Sequence, residues 1–511
     1  MEENNLPGAD ACYELDSRTP ETALQKEPAA RKGFPFFGIP AMVMLTLMLI
    51  VLGMEIFYAT HQVSRAGRAE ESVAIGLTSF EMLFHNAGFA GVLLNSLGFR
   101  ITQLLVSGTL AAGLVALFYA MRNPRTVLTF ACLWLIPACV PYLTMSLAIV
   151  QTAARTDRTG FLLYLFTTML QTTSIFCFAG GLFTFLNLQK KGKAGGGPYY
   201  GLLIAVLILL LSALTTNALT PALINNRNNG RTVEYYAIQM INGAQYSQAA
   251  AGNVIKLLLQ TAMAVIPAVV LCLLARKKST KGKIPLATLW VFLAIPAGLT
   301  IMILLGNVFT ASRESSAVFN TTGAVIIGGA FGGLIAYSFI YLMRRVPAVL
   351  FGLIAVVLAG TMSCVTTQDL TMSRLGLRET IWPQVILAAF DGRLVLIVTV
   401  LSFALRSHTE SRPWAFVIAV PLLTGSMLWG EINVSYLFLS RTSNVSMQAL
   451  RYMMSASAAV SEQAAAARAA AVQSVRTGSQ LLLAIPAVLL GAGGAVLLRY
   501  SLDAPENPER G

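Results

Sequence analysis

Nothing in this chain constrains its fold more than the recurrence of charge-poor apolar stretches of about twenty residues. They fall near 36–58, 99–121, 127–151, 161–187, 199–220, 252–275, 285–309, 321–343, 346–365, 382–405, 414–436 and 479–499. Lipid offers no partner to an exposed backbone amide, so a stretch able to cross about 30 Å of hydrocarbon has to close its hydrogen bonds as helix. Twelve such stretches predict an all-α polytopic membrane protein, held in membrane lipid. Composition agrees: 12% of the residues are charged, against about 25% in soluble domains.

Charge placement sets orientation and excludes one class of partner. The net charge of +13 resides in short loops between the apolar stretches, not on one face, which argues against nucleic acid. Arg122 and Arg125, then Lys190, Lys191 and Lys193, then Arg276 to Lys283, then Arg344 and Arg345, then Arg406 and Arg412 occupy every second loop. Positive-inside placement puts both termini in the cytoplasm. The polar residues 1–33 read as a disordered cytoplasmic tail, not a cleaved signal, and 501–511 as a second, short tail. Across the membrane lie the longer segments, among them "SASAAVSEQAAAARAAAVQSVRTG", whose alanine density predicts an external helix.

The six cysteines are dispersed, Cys12 in the tail and Cys132, Cys139, Cys177, Cys272 and Cys364 inside apolar stretches, and read as small packing residues. His61, His85 and His408 form no cluster, so neither metal nor cofactor is expected. No Ser-His-Asp set, catalytic carboxylate pair or phosphate-cradling loop can be assembled, so no enzyme is expected.

The chain repeats itself internally. The segment from Asn95, "NSLGFRITQLLVSGTLAAGLVALFYAMRNPRTVLTF", has a counterpart from Asn320, "NTTGAVIIGGAFGGLIAYSFIYLMRRVPAVLFGL". Each is an Asn, a span rich in small residues, a tight basic turn and a further span. The stretches therefore divide into a first half, 34–278, and a second half, 279–500. Asn95 and Asn320 are expected to satisfy backbone groups at helix starts. The overlapping pairs Gly328/Gly332 and Gly329/Gly333 are expected to let helices approach closely, between the halves.

In the first half "VAIGLTSFEMLFHNAGFAGVLLNSL" and "GAQYSQAAAGNVIKLLLQTAMAVIPAVVLCLLARK", and in the second "LTMSRLGLRETIWPQVILAAF" and "SVRTGSQLLLAIPAVLLGAGGAVLLRY", carry a resemblance. In order and spacing they resemble the paired membrane subunits of type I, maltose-type carbohydrate ABC importers, in the polysaccharide and lipo-oligosaccharide branch. The resemblance spans nearly all of 36–500 and implies two six-helix permease-like halves, a tandem fusion of subunits normally made separately. It also implies an external solute-binding protein and separate ATP-hydrolysing subunits as partners. Family members carry a cytoplasmic Glu-Ala-Ala…Gly segment that docks in the ATPase. Here the two equivalent positions hold "LNLQKKGKAGGGPYYG" and "ALRSHTESRPWA", both shorter and without that signature. Three consecutive glycines disfavour a docked helix in the first.

Charge near the bilayer centre costs a few kcal/mol, so ionisable residues inside spans are candidates for function. Glu55, Arg100 and Lys256 lie near span ends and are expected to snorkel. Asp391 and Arg393, in "AAFDGRLVLIV", lie midway along a stretch. Two apart, they share no helix face, so an ordinary ion pair between them is not expected. Gly392 permits an unwound turn lining a polar cavity, as in broken transporter helices. The alternatives are a helix that begins later, with both residues at its mouth, or separate partners on neighbouring helices. Glu431, Asn433, Trp429 and Tyr436, in "MLWGEINVSY", fall where the resemblance implies the sugar path. Carboxylate and amide suit hydroxyls there and aromatic faces suit sugar rings, while capping of a span end is the alternative.

Two functions follow. One is the membrane subunit of an oligosaccharide importer with degenerate ATPase coupling. The other is a permease-like receptor or scaffold that docks a sugar-binding protein without transport. A stand-alone carrier would need an ion relay, for which Asp391 and Glu431 are the available groups.

Overall fold

The computed structural model describes residues 38–63, 72–144, 159–189, 197–211, 231–276, 317–361, 364–388, 391–406, 412–431, 433–438, 444–448 and 465–503. The stretch 285–309, both tails apart from 501–503, Cys12, His408 and the glycine-rich part of the loop before Gly197 lie outside the described residues. Among the described residues the only sheet is a short antiparallel pair, β1 (His61–Gln62) with β2 (Val73–Ala74). The rest of the regular structure among these residues is helix.

Among the described residues seven helical stretches, one of them the interrupted 382–405, are long and apolar enough to cross a bilayer, and four shorter apolar helices fall in further stretches. In the first half the order is α1 (Ile39–Thr60), α2 (Thr78–His85), α3 (Ala87–Ala120), α4 (Pro124–Leu133), α5 (Leu135–Ala138), α6 (Thr159–Gln189), α7 (Pro198–Leu211), α8 (Val233–Asn242) and α9 (Tyr246–Arg276). In the second it is α10 (Ala317–Arg345), α11 (Ala348–Thr361), α12 (Val365–Arg374), α13 (Trp382–Leu387), α14 (Gly392–Leu405), α15 (Pro413–Trp429), α16 (Asn433–Phe438) and α17 (Ala465–Leu502). Polar residues set several starts. Asn86 accepts from Gly88 N at 3.1 Å before α3, Asn123 from Arg125 N at 3.0 Å before α4, and Thr232 from Tyr235 N at 3.4 Å before α8.

The long helices sort into two kinds. α6, α10 and the α13–α14 stretch are buried along most of their apolar length, whereas α1, α3, α9 and α17 leave most of theirs uncovered. The uncovered faces carry Leu47, Ile50, Leu105, Leu258, Ile266 and Leu489, each at least half exposed. Apolar surface on this scale is incompatible with water and suits acyl chains. The chain is therefore a multi-pass α-helical membrane protein. Its centre is aromatic: Phe403 of α14 lies 6.0 Å from Phe183 of α6 and 5.8 Å from Phe351 of α11, ring centre to ring centre.

The contacts echo the internal repeat. α3 packs on α6 and α7 as α10 packs on α14 and α15, and α7 packs on α9 as α15 packs on α17. Across the halves, α9 packs on α11 while α17 packs on α4 and α5, and α6 meets α14. Both crossings pair a glycine with a cysteine: a Cβ on Gly491 would sit 2.6 Å from Cys139 Sγ, and one on Gly352 would overlap Cys272 Sγ. The echo extends to single hydrogen bonds. Ser96 Oγ accepts from Val233 N and Thr321 Oγ1 from Val445 N, both at 3.0 Å, and each acceptor directly follows the paired asparagine. Asn320 lies in the first turn of α10, but Asn95 lies more than two turns inside α3, where its amide donates to Arg231 O at 3.4 Å. It braces the entry to α8 and does not start its own helix.

The paired glycines do pack, though not between the halves. Gly328 meets Leu428 and Val385, Gly329 meets Pro421 and Gly425, Gly332 meets Ala388 and Thr424, and a Cβ on Gly333 would overlap Pro421. All those partners belong to the second half, so the motif closes α10 onto α13 and α15. The alanine-rich helix predicted after the penultimate span exists over 465–478, but it runs on without a break into the last span as α17, 38 residues in all. One end of the bundle gathers the basic turns. Arg125 lies 3.6 Å from Asp503, Arg499 Nε donates to Thr129 at 2.7 Å, and Arg406 donates to the carbonyls of Met343 and Val346 at 2.8 and 3.0 Å. The Arg406 bonds satisfy carbonyls that the end of α10 leaves open.

Candidate functional site

Asp391 and Arg393 form the pair that helical spacing disfavours, and the reason lies in the backbone. The helix begins only at Gly392; Asp391 is its N-cap, extended at φ −61° and ψ 127°. From there its carboxylate turns back over the first turn, accepting from Arg393 N at 2.8 Å and pairing with the guanidinium at 3.1 and 2.8 Å. The stretch is thus interrupted between α13 and α14. Arg393, 6% exposed, uses its remaining donors on Ala138 O at 3.4 Å and Met427 O at 3.0 Å. One carbonyl belongs to each half, so the guanidinium ties the two together. Its carbon also stands 5.0 Å from the centre of the Tyr142 ring.

A polar strip along α6 continues from this knot. Thr168, Gln171, Thr172, Thr173 and Ser174 are all buried. Gln171 donates to Val140 O, Ser174 to Trp134 O, and Gln103 to Thr172 at 2.6 Å. Arg100 donates to Gln103 at 3.0 Å. α3 starts twelve residues ahead of the apolar stretch, which puts Arg100 well inside the helix instead of near its end. The signal for this strip was present in the sequence as "TTMLQTTS" inside an otherwise apolar stretch.

The other predicted site residues divide. Glu431 is a cap: its carboxylate accepts from Val434 N at 2.8 Å and Ser435 N at 3.1 Å, opening α16. Trp429 is buried and its indole N–H donates to Leu482 O at 2.9 Å, joining α15 to α17. The side chains of Asn433 and Tyr436 lie outside the described residues, although both belong to α16.

A second polar cluster lies where α1, α8, α9 and α12 meet, and it holds Glu55 and Lys256, for which snorkelling is the expectation. Glu55 is fully buried. Its Oε1 accepts from Asn253 Nδ2 at 2.7 Å, and its Oε2 from Thr367 N at 2.8 Å and Thr367 Oγ1 at 2.6 Å. Lys256 is also fully buried and bonds Glu234 at 2.7 Å. Neither side chain snorkels: α9 begins at Tyr246, ahead of the apolar stretch, and the partners of Glu55 come from distant parts of the chain. Asp369, likewise buried, lies 3.3 Å from Arg378, and Arg374 donates to Tyr58 Oη at 3.1 Å.

Fold and polar interior together define a polytopic helical membrane protein whose two sequence halves are joined through buried polar contacts. Compared with known protein families, with curated proteins and with solved structures, the chain finds no match.

Proposed function

We propose that the chain is the membrane-spanning part of an oligosaccharide importer of the ABC type, with twelve spans in two fused six-helix permease-like halves. Both termini would face the cytoplasm of a bacterial inner membrane. The observation that supports this reading best is the reciprocal packing of the halves, α9 on α11 and α17 on α4 and α5, about a central α6–α14 contact. Two like halves gripping each other across a central pair can expose a path alternately to either side. The Asp391–Arg393 knot, which bridges Ala138 and Met427, stands at that junction and supplies the polar groups such a path needs. Glu431, Asn433, Trp429 and Tyr436 are the further pathway residues in this reading.

Substrate would arrive from an external solute-binding protein and energy from separate ATPases. A second reading, a permease-like receptor or scaffold without transport, is favoured by one observation. α6 runs to Gln189 and α7 starts at Pro198, and α14 ends at Leu405 with α15 starting at Pro413. The chain between these helices is too short for the rigid docking helix that would couple hydrolysis to the spans.

Affinity purification from native membranes, with uptake of labelled oligosaccharide into cells, tests the proposal. Co-elution of an ATPase and uptake that stops on ATP depletion are expected. Uptake that persists without ATP and collapses with the proton gradient would overturn it. A sugar-binding protein captured with no uptake at all selects the scaffold.

A further inference from the structure

We propose that Glu55 is a proton-binding site, and that its occupancy sets how firmly α12 of the second half is held to α1 and α9 of the first. Glu55 lies five residues before the end of α1, about 8 Å along the axis, yet no part of it reaches solvent. Its neighbours are donors without a cation. Asn253 Nδ2, Thr367 N and Thr367 Oγ1 converge on the two oxygens, and among the described residues no Lys, Arg or His lies within ion-pair distance. The cations of the cluster are engaged elsewhere: Lys256 with Glu234, Arg378 with Asp369, and Arg374 with Tyr58.

The other groups around the site are accounted for element by element. α1 brings Tyr58, and His61 follows it, stacked on Phe57 with its Nδ1 3.0 Å from Phe57 O. α2 brings Glu81 and His85, both exposed. Buried Cys364 precedes α12, and α11 carries no ionisable side chain over its described length. An ionised Glu55 is therefore a buried charge held by hydrogen bonds alone, a costly state in a membrane interior.

The neutral state has a partner waiting. Asn253 Oδ1 is buried and among the described residues accepts from nothing, while its Nδ2 faces both Glu55 and, at 3.3 Å, Thr366 Oγ1. When Glu55 takes up a proton on Oε1, half a turn of the Asn253 amide brings Oδ1 into that position. Oδ1 then accepts from the new hydroxyl and from Thr366, and Thr367 N keeps its bond to the other carboxyl oxygen. No bond beyond O–H forms or breaks, and the proton comes from solvent. Charge-assisted bonds to Thr367 become neutral ones about half as strong, so protonation loosens α12.

Infrared difference spectra of the full chain in lipid nanodiscs, recorded over a pH series, test this. Acidification is expected to produce the carbonyl band of a protonated carboxylic acid, present in the wild type and in Glu81→Gln but absent from Glu55→Gln. Thr367→Val, which removes one donor to the carboxylate and leaves Asn253 in place, should move the band's midpoint to higher pH. Hydrogen exchange in the peptide covering α12 should rise, beyond the intrinsic pH effect, with the same midpoint. A band that survives in Glu55→Gln, or a wild type with no titrating band, overturns the proposal. So does a transition that follows sodium, on replacement by a large organic cation at fixed pH. If Glu55→Gln fails to fold, Glu55→Asp must still shift the midpoint, and an unchanged midpoint refutes the assignment.

Discussion

Exchanging Lys256 for methionine keeps an unbranched side chain one atom shorter and removes the ammonium group, leaving the Glu234 carboxylate without its buried cation. The ammonium is fully buried and Glu234 nearly so, at 2.7 Å. At that separation the Coulomb attraction is about 6 kcal/mol at an effective dielectric of about 20. Desolvation of the two ions consumes several kcal/mol of it, so the intact pair adds little net stability. Removing one partner is different, because the desolvation cost of the survivor stays. Lys256→Met is expected to cost about 3–5 kcal/mol, Glu234→Leu a similar amount, and the double variant close to nothing. Equilibrium unfolding in mixed micelles of the four proteins gives the coupling energy directly. A single-variant loss below about 1 kcal/mol, or losses that simply add, would refute the reasoning, since either means that water reaches the pair.

Four further outcomes are expected. Gly333→Ala forces a Cβ into Pro421 and should cost about 1–3 kcal/mol in thermal unfolding, whereas Gly53→Ala, which meets nothing within 4 Å, should be neutral or slightly stabilising. Ser96→Ala and Thr321→Val each remove the acceptor of a buried backbone N–H and should cost about 1–3 kcal/mol apiece, alike within error if the repeat is one of energetics as well as sequence. Arg393→Lys cannot keep the two-oxygen grip on Asp391 together with both carbonyl contacts, so it should destabilise nearly as much as Arg393→Met. Glu431→Ala removes the cap of α16 and should cost about 1 kcal/mol, read as faster hydrogen exchange at Val434 and Ser435.

The helical membrane architecture was legible because lipid enforces both length and apolarity, and the apolar stretches mark where. The depth of individual charges was not. "YSQAAAGN" ahead of Val254 and "AGFAGVLLNSL" ahead of Gly98 extend α9 and α3 without strong apolar signal, which moved Lys256 and Arg100 inward. Glu55 could not be placed from its own span, since Asn253 and Thr367 lie 198 and 312 residues away along the chain. At Asp391 and Arg393 the spacing rule for helices does not hold, because Asp391 stands outside the helix. Glycine in the sequence flagged the break, but only the extended backbone at Asp391 shows how the carboxylate doubles back.

The grip of α17 on α4 and α5 carries a consequence for the order of assembly. A ribosome delivers α4 long before α17, so the groove along Cys139 stays open until α17 has been inserted. Biogenesis must therefore hold an unfinished intermediate in the bilayer, and a chain cut short before Gly491 would leave that groove exposed to quality-control proteases.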